Sequence, residues 1–159
     1  MNYYSLRIMK IFALIGLLVV MLFGGSILWS RSSQTSEPGT ISQNGLHWHP
    51  QLEIYVAGQK VEIPQNIGVG SAYSSSPGFG NGGMAMTPIH THDDLPVIHL
   101  EFSGVVREED VTLGNFFKVW QRDMRSLGEK MRMTVNGMES NETENYVMHD
   151  GDRIVLNYD

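Results

Sequence analysis

Three of the chain's six histidines and three carboxylates fall between His90 and Glu101, in the run His90-Thr91-His92-Asp93-Asp94-Leu95-Pro96-Val97-Ile98-His99-Leu100-Glu101. A second His-x-His stands upstream at His47-Trp48-His49. Imidazole and carboxylate donors suit zinc, copper(II), nickel or iron(II). Two His-x-His pairs plus a fifth histidine are a more specific pattern than one pair alone. Met84 and Met86 lie just before His90, and their soft thioethers would bias the set toward copper(I). The candidate ligands are therefore His90, His92, His99, His47, His49, Asp93, Glu101, Met84 and Met86, for a divalent transition metal or copper.

Other chemistry fits less well. His99 with Glu101, or His92 with Asp93, could move protons, and a metal-bound water could drive hydrolysis. No G-x-S-x-G elbow is present, and the serines concentrate in polar segments, which argues against a serine hydrolase. The absence of cysteine removes thiolate chemistry, disulfides and a lipoprotein anchor. A formal charge of −6 with scattered Lys and Arg offers nothing to neutralise a row of phosphates, so nucleic acid is not an expected partner. His149 stands alone beside a Gly-Asp turn and reads as structural or solvated. Asn141-Glu142-Thr143 matches a glycosylation acceptor.

Strand parity is what could gather the histidines. Val97 to Phe102 reads as a strand with Ile98, Leu100 and Phe102 on one face and His99 and Glu101 on the other. Leu52-Glu53-Ile54-Tyr55-Val56 alternates likewise and forms a hairpin with Lys60-Val61-Glu62-Ile63. That puts Glu53 on the face of His99 and Glu101, joined by His47 and His49 if the strand reaches back through Pro50. Leu113, Phe116, Phe117, Trp120, Met124 and Leu127 form one helical stripe. Thr112 or Asp110 could cap this helix, and Gly128 stands where a left-handed C-cap belongs. Met131 to Val135 and Arg153 to Tyr158 read as two closing strands, the first followed by the turn signal Asn136-Gly137. The Ser- and Gly-rich stretch from Ser71 to Thr87 reads as a long loop leading into His90.

The N-terminus is of another kind. Ile11 to Trp29 is an uncharged apolar run preceded by Arg7 and Lys10, long enough to span a bilayer with the cations on the cytoplasmic side. An uncleaved anchor is the expectation; Gly24-Gly25-Ser26 is the nearest processing site if it is instead a cleaved signal. The expected organisation is a cytoplasmic N-terminus over 1–10, a transmembrane anchor over 11–29, a flexible linker over 30–44 and an extracytoplasmic domain over 45–159.

Hairpin, strand, one amphipathic helix and two further strands make an α+β domain. The helix needs one face of a mixed sheet to cover, an arrangement that resembles the β-grasp fold. Val135-Asn136-Gly137 and His149-Asp150-Gly151-Asp152-Arg153-Ile154-Val155 resemble the last two strands of the small sulfur-carrier proteins of that fold. Their Gly-Gly tail is replaced here by Asn157-Tyr158-Asp159, so their chemistry does not carry over. From Leu46 to Tyr158, His-Trp-His-Pro-Gln-Leu-Glu-Ile, His-Thr-His-Asp, Val-Ile-His-Leu-Glu and Thr-Leu-Gly-Asn-Phe-Phe resemble a family of membrane-anchored, histidine-rich extracytoplasmic proteins of bacteria and archaea. That resemblance implies boundaries and fold, but no activity. Three functions follow as expectations. The first is a membrane-anchored metal-binding domain for storage, sensing or delivery, working with a membrane or extracytoplasmic partner. The others are a metal-dependent hydrolase-like enzyme, and an interaction module whose histidines are structural or pH-responsive.

Overall fold

A computed structural model describes residues 3–32, 37–76 and 85–159, and the chain divides into two units, Met1–Glu37 and Pro38–Asp159. In the first unit, α1 (Tyr3–Ser32) is one continuous helix. Its Met9–Ser26 stretch has a mean hydropathy of 2.1 and no side chain buried. By length and composition it could cross a membrane.

The second unit is mixed α and β. Its elements in order are β1 (Thr40–Ser42), β2 (Leu46–Trp48), β3 (Gln51–Val56), β4 (Gln59–Val61), β5 (Ile89–His90), β6 (His99–Phe102), β7 (Val106–Arg107), α2 (Leu113–Val119), β8 (Met131–Val135), β9 (Met138–Ser140) and β10 (Arg153–Tyr158). A five-stranded sheet has the order β4-β3-β10-β8-β9, with β3 and β10 parallel at its centre. A separate three-stranded antiparallel sheet has the order β2-β6-β5, and β1 pairs with β7. Leu52, Ile54, Ile154 and Leu156 from the first sheet share one buried cluster with Ile98, Leu100 and Phe116.

Several expectations are corrected here. The strands do not form one sheet, because Pro50 has no N–H to continue a ladder. The Ile98 amide donates to the Pro50 carbonyl (2.8 Å) and the Leu52 amide to that of Pro96 (3.0 Å). The chain therefore enters one sheet before Pro50 and another after it. Glu53 goes with the second group and is ion-paired to Lys60 at 2.7 Å, a bond that holds its carboxyl below the ordinary value. Within the stretch expected as a linker, Thr40–Ser42 forms a strand, and residues 33–36 lie outside the described set.

The long helix is corrected as well. α2 stops at Val119, because Gln121 takes a left-handed φ of 57°. Asp123 then starts a 3-10 turn over Met124–Leu127, its Oδ1 accepting from the Arg125 amide at 2.8 Å. The stripe still buries Leu113, Phe116, Phe117, Met124 and Leu127, but from two segments. Thr112 makes no side-chain cap, and Asp110 instead accepts from the Arg107 amide at 2.8 Å. Gly128 is extended (φ 167°) rather than left-handed. It is needed for space, since a Cβ there would stand 2.9 Å from that of Tyr158.

The hairpin turn at Asn136-Gly137 has both residues at positive φ (53° and 83°), the twist that two-residue hairpins favour. It leads into β9, a strand the sequence did not signal. Asp152 ties this turn to β10. Its carboxylate accepts from Asn136 Nδ2 (2.9 Å), the Tyr146 hydroxyl (2.6 Å) and the His149 amide (2.8 Å). Burial works against its charge, but these donors outweigh burial and lower its pKa below 3.8. A lowered carboxyl pKa gives stability above the unfolded value, lost as pH falls through the folded one. Asp152→Asn is therefore expected to cost about 1–3 kcal/mol at pH 7. It should also flatten the loss of stability below about pH 4, in urea midpoints measured against pH. An unchanged acid limb would sink this assignment.

Candidate metal centre

Register alone builds most of the site. β6 is the middle strand of its sheet, and antiparallel pairing sets His47 opposite Glu101 and His90 opposite His99. Continuing the β2 register past its last paired residue puts His49 opposite His99, and their rings lie 5.0 Å apart. Because His99 and Glu101 are two residues apart, all five side chains project from one face. Leu100 and Ile89 point the other way and are buried in the core. One row across the sheet thus reads His49, His99, His90, and the adjoining row pairs His47 with Glu101.

The geometry within this patch is tight. His47 Nε2 lies 3.1 Å from His49 Nε2 and 3.3 Å from Glu101 Oε1. His90 stacks on His99 at 5.4 Å and 10° between planes. His92 packs edge-on, 4.8 Å from the His90 ring and 4.9 Å from that of His99. Two sets of donor atoms lie within 4.8 Å of one another: His47, His49 and His99, and His90, His99 and Glu101. These groups could hold a metal ion.

The protonation pattern is set by acceptors. His90 Nδ1 is 3.0 Å from the Thr87 carbonyl, which can only accept, so Nδ1 carries the proton and Nε2 keeps a bare lone pair in the neutral ring. His99 Nε2 lies 3.1 and 3.2 Å from the two oxygens of Asp94, which by the same logic leaves the lone pair on Nδ1. His90 Nε2 and His99 Nδ1 are both buried with no hydrogen-bond partner. Leaving buried polar atoms unpaired costs on the order of 1–3 kcal/mol each. Burial also pushes the His90 pKa down, against the Thr87 carbonyl, which pulls it up. Burial thus favours the neutral ring, the form that binds metals.

A loop over Pro64 to Gly70 explains why His90 is buried. The Thr91 amide donates to the Ile67 carbonyl (3.0 Å), the Asn66 amide to that of Thr91 (3.1 Å), and the Thr87 amide to that of Gly68 (2.8 Å). The Thr91 hydroxyl accepts from the Ile67 amide (3.1 Å) and donates to the Pro64 carbonyl (3.0 Å). The edge of β5 is thereby covered and its backbone satisfied. The Gly70 amide is bonded to the Ala85 carbonyl at 2.8 Å; of the stretch expected as a loop, Ser71–Tyr73 is a 3-10 turn and residues 77–84 lie outside the described set.

The remaining candidates are placed unevenly. Met86 is half-buried and lines a cavity of about 530 Å³ together with His47, His90 and Glu101. Met84 lies outside the described residues. Asp93 is exposed; the carboxylate that reaches the histidines is its neighbour Asp94, which sequence reasoning passed over. Partial burial opposes the charge of Asp94, but the bond from His99 outweighs it and lowers its pKa. Asp150 was also missed: its Oδ1 accepts from the His49 amide at 2.8 Å and steadies the chain before Pro50. Only the abundance of carboxylates in these turns hinted at either. His149 is exposed, 3.6 Å from Asp152 and against the Trp48 ring at 5.6 Å. Asp94→Asn should leave the fold intact and weaken metal affinity about tenfold, as for other partners that orient a ligating imidazole. Titration with zinc checks this, and an unchanged affinity would remove Asp94 from the site.

The chain matches no family model, no curated protein and no solved structure.

Proposed function

We propose that this is a membrane-anchored extracytoplasmic protein that binds copper or zinc through its clustered histidines, for storage, sensing or delivery. The observation that carries the reading is the pair of buried nitrogens without a hydrogen bond, His90 Nε2 and His99 Nδ1, on two residues that form a donor set with Glu101. Each has its second nitrogen engaged by an acceptor, the arrangement that orients metal-ligating imidazoles. His47 and His49 widen the set, and Met86, on the wall of the same cavity, supplies the soft donor that would favour copper(I). Arg7 and Lys10 in the first turns of α1 support a cytoplasmic N-terminus, so the donors would meet metal outside the cytoplasm, with a membrane or extracytoplasmic partner. The parallel central pair of β3 and β10, flanked by a hairpin on each side, supports a β-grasp reading of the larger sheet.

The test uses the full chain in detergent, without a histidine tag. Elemental analysis and titration with zinc and copper should find one tightly held ion, lost in a His90→Ala/His99→Ala double variant. A wild-type protein that neither binds nor is thermally stabilised by either metal refutes the reading. The cavity beside His47, His90 and Glu101 favours a second reading, a metal-dependent hydrolase. That would require the bound ion to keep an exchangeable water, seen as a change in the cobalt(II)-substituted spectrum on adding azide.

A further inference from the structure

The two donor sets share His99 but differ in exposure. In one, the side chains of His47 and His49 are 64% and 43% exposed. In the other, His90 is a buried residue, 1% exposed, while the Glu101 side chain is 37% exposed at its rim. His47 Nε2 links them, at 3.1 Å from His49 Nε2 and 3.3 Å from Glu101 Oε1. Donors held at about 2.0–2.1 Å around a tetrahedral ion lie roughly 3.3–3.4 Å apart, so both contacts have the spacing of neighbouring ligands. Resting on the metal-binding reading above, we propose that these sets are two successive seats for a single ion. An outer seat of His47, His49 and His99 captures it, and an inner seat of His90, His99 and Glu101 retains it.

The transfer is a ligand exchange with no change of oxidation state. The bonds from the metal to His49 and His47 break, bonds to His90 Nε2 and Glu101 form, and the bond to His99 persists. The His90 Nε2 lone pair is free to take the ion, because Nδ1 points its proton at the Thr87 carbonyl. Throughout, Asp94 holds the His99 ring through Nε2, so the shared ligand does not swing away. The exposed seat is the one a partner's own imidazole or thioether donors could reach, so loading and unloading both pass through it. His47 and His49 would therefore control the rate of exchange, and His90 the equilibrium.

Stopped-flow zinc binding on the full chain in detergent, with release to a chelator, separates these roles. His49→Ala should slow loading and release alike, by about tenfold, and leave Kd within about threefold. His90→Ala should leave loading unchanged and raise Kd about 100-fold through faster release. If His90→Ala fails to fold by circular dichroism, Glu101→Gln carries the same expectation from an exposed edge of the inner seat. Equal losses of affinity in the outer and inner variants would mean one joint site and overturn the proposal. So would simultaneous uptake of two ions, or binding indifferent to both substitutions. A wild-type chain that binds no zinc or copper fails the metal-binding reading itself, an outcome distinct from all of these.

Discussion

His99→Ala is expected to weaken metal binding more than any other single histidine substitution, by about 100-fold or more. That exceeds the 10–100-fold typical of losing a partner that merely orients a ligand. The reason is position. His99 belongs to both donor sets, and His90, His92 and His49 all pack on its ring. Its Nδ1 is buried without a hydrogen bond, so removing the ring takes a prepared donor and leaves at most two ligands in either set. The strand should survive, because β6 is held by backbone pairing on both sides and its core contacts come from Leu100. His149→Ala is the matched control, being exposed and outside both sets. Isothermal titration with zinc on both variants decides the matter. Equal affinities for the two would place the ion elsewhere.

Gly68→Ala is the second large effect, expected to cost about 2–5 kcal/mol by summing left-handed strain and overpacking. Gly68 has φ +76°, and a Cβ there would drive into the Thr87 hydroxyl and the Ile89 carbonyl and stand 3.1 Å from the His90 Cβ. These are backbone and short side-chain atoms of the segment that carries His90, and they have little room to yield. The Thr87 carbonyl, which assigns the His90 tautomer, would shift with them. A fall in Tm of roughly 10 °C should accompany weaker zinc binding. Gly151→Ala provides the contrast. It has a similar φ of +74° but nothing within 4 Å of the added atom, so only the strain of about 1–2 kcal/mol applies. Equal Tm losses in the two variants would show that crowding at His90 is not the cause.

The common face of the histidines could be read from the sequence because side-chain alternation is a local property. His99 and Glu101 oppose Ile98 and Leu100 wherever β6 is placed, and His47 and His49 share parity with one another. The β3–β4 hairpin and the Asn136-Gly137 turn were equally legible, since turn geometry depends on adjacent residues. The apolar stripe from Leu113 to Leu127 correctly marked what is buried. It did not reveal the break, because periodicity records which side chains face the core and is indifferent to a single left-handed residue such as Gln121.

What local pattern could not supply is which strands pair. β2 meets β6 across more than forty intervening residues, and β3 leaves for the other sheet immediately after Pro50. Such choices are made by the closure of long loops around a shared core, so Glu53 had the right parity and the wrong sheet. Asp93 and Asp94 are chemically alike and adjacent, and only the folded turn decides which one reaches His99. The sequence by itself thus determined the candidate donor types, the apolar N-terminal helix and the common face of the histidines. The tertiary structure decided their cross-strand neighbours, the burial of His90 under the Pro64–Gly70 loop, and the two nitrogens left without a hydrogen bond.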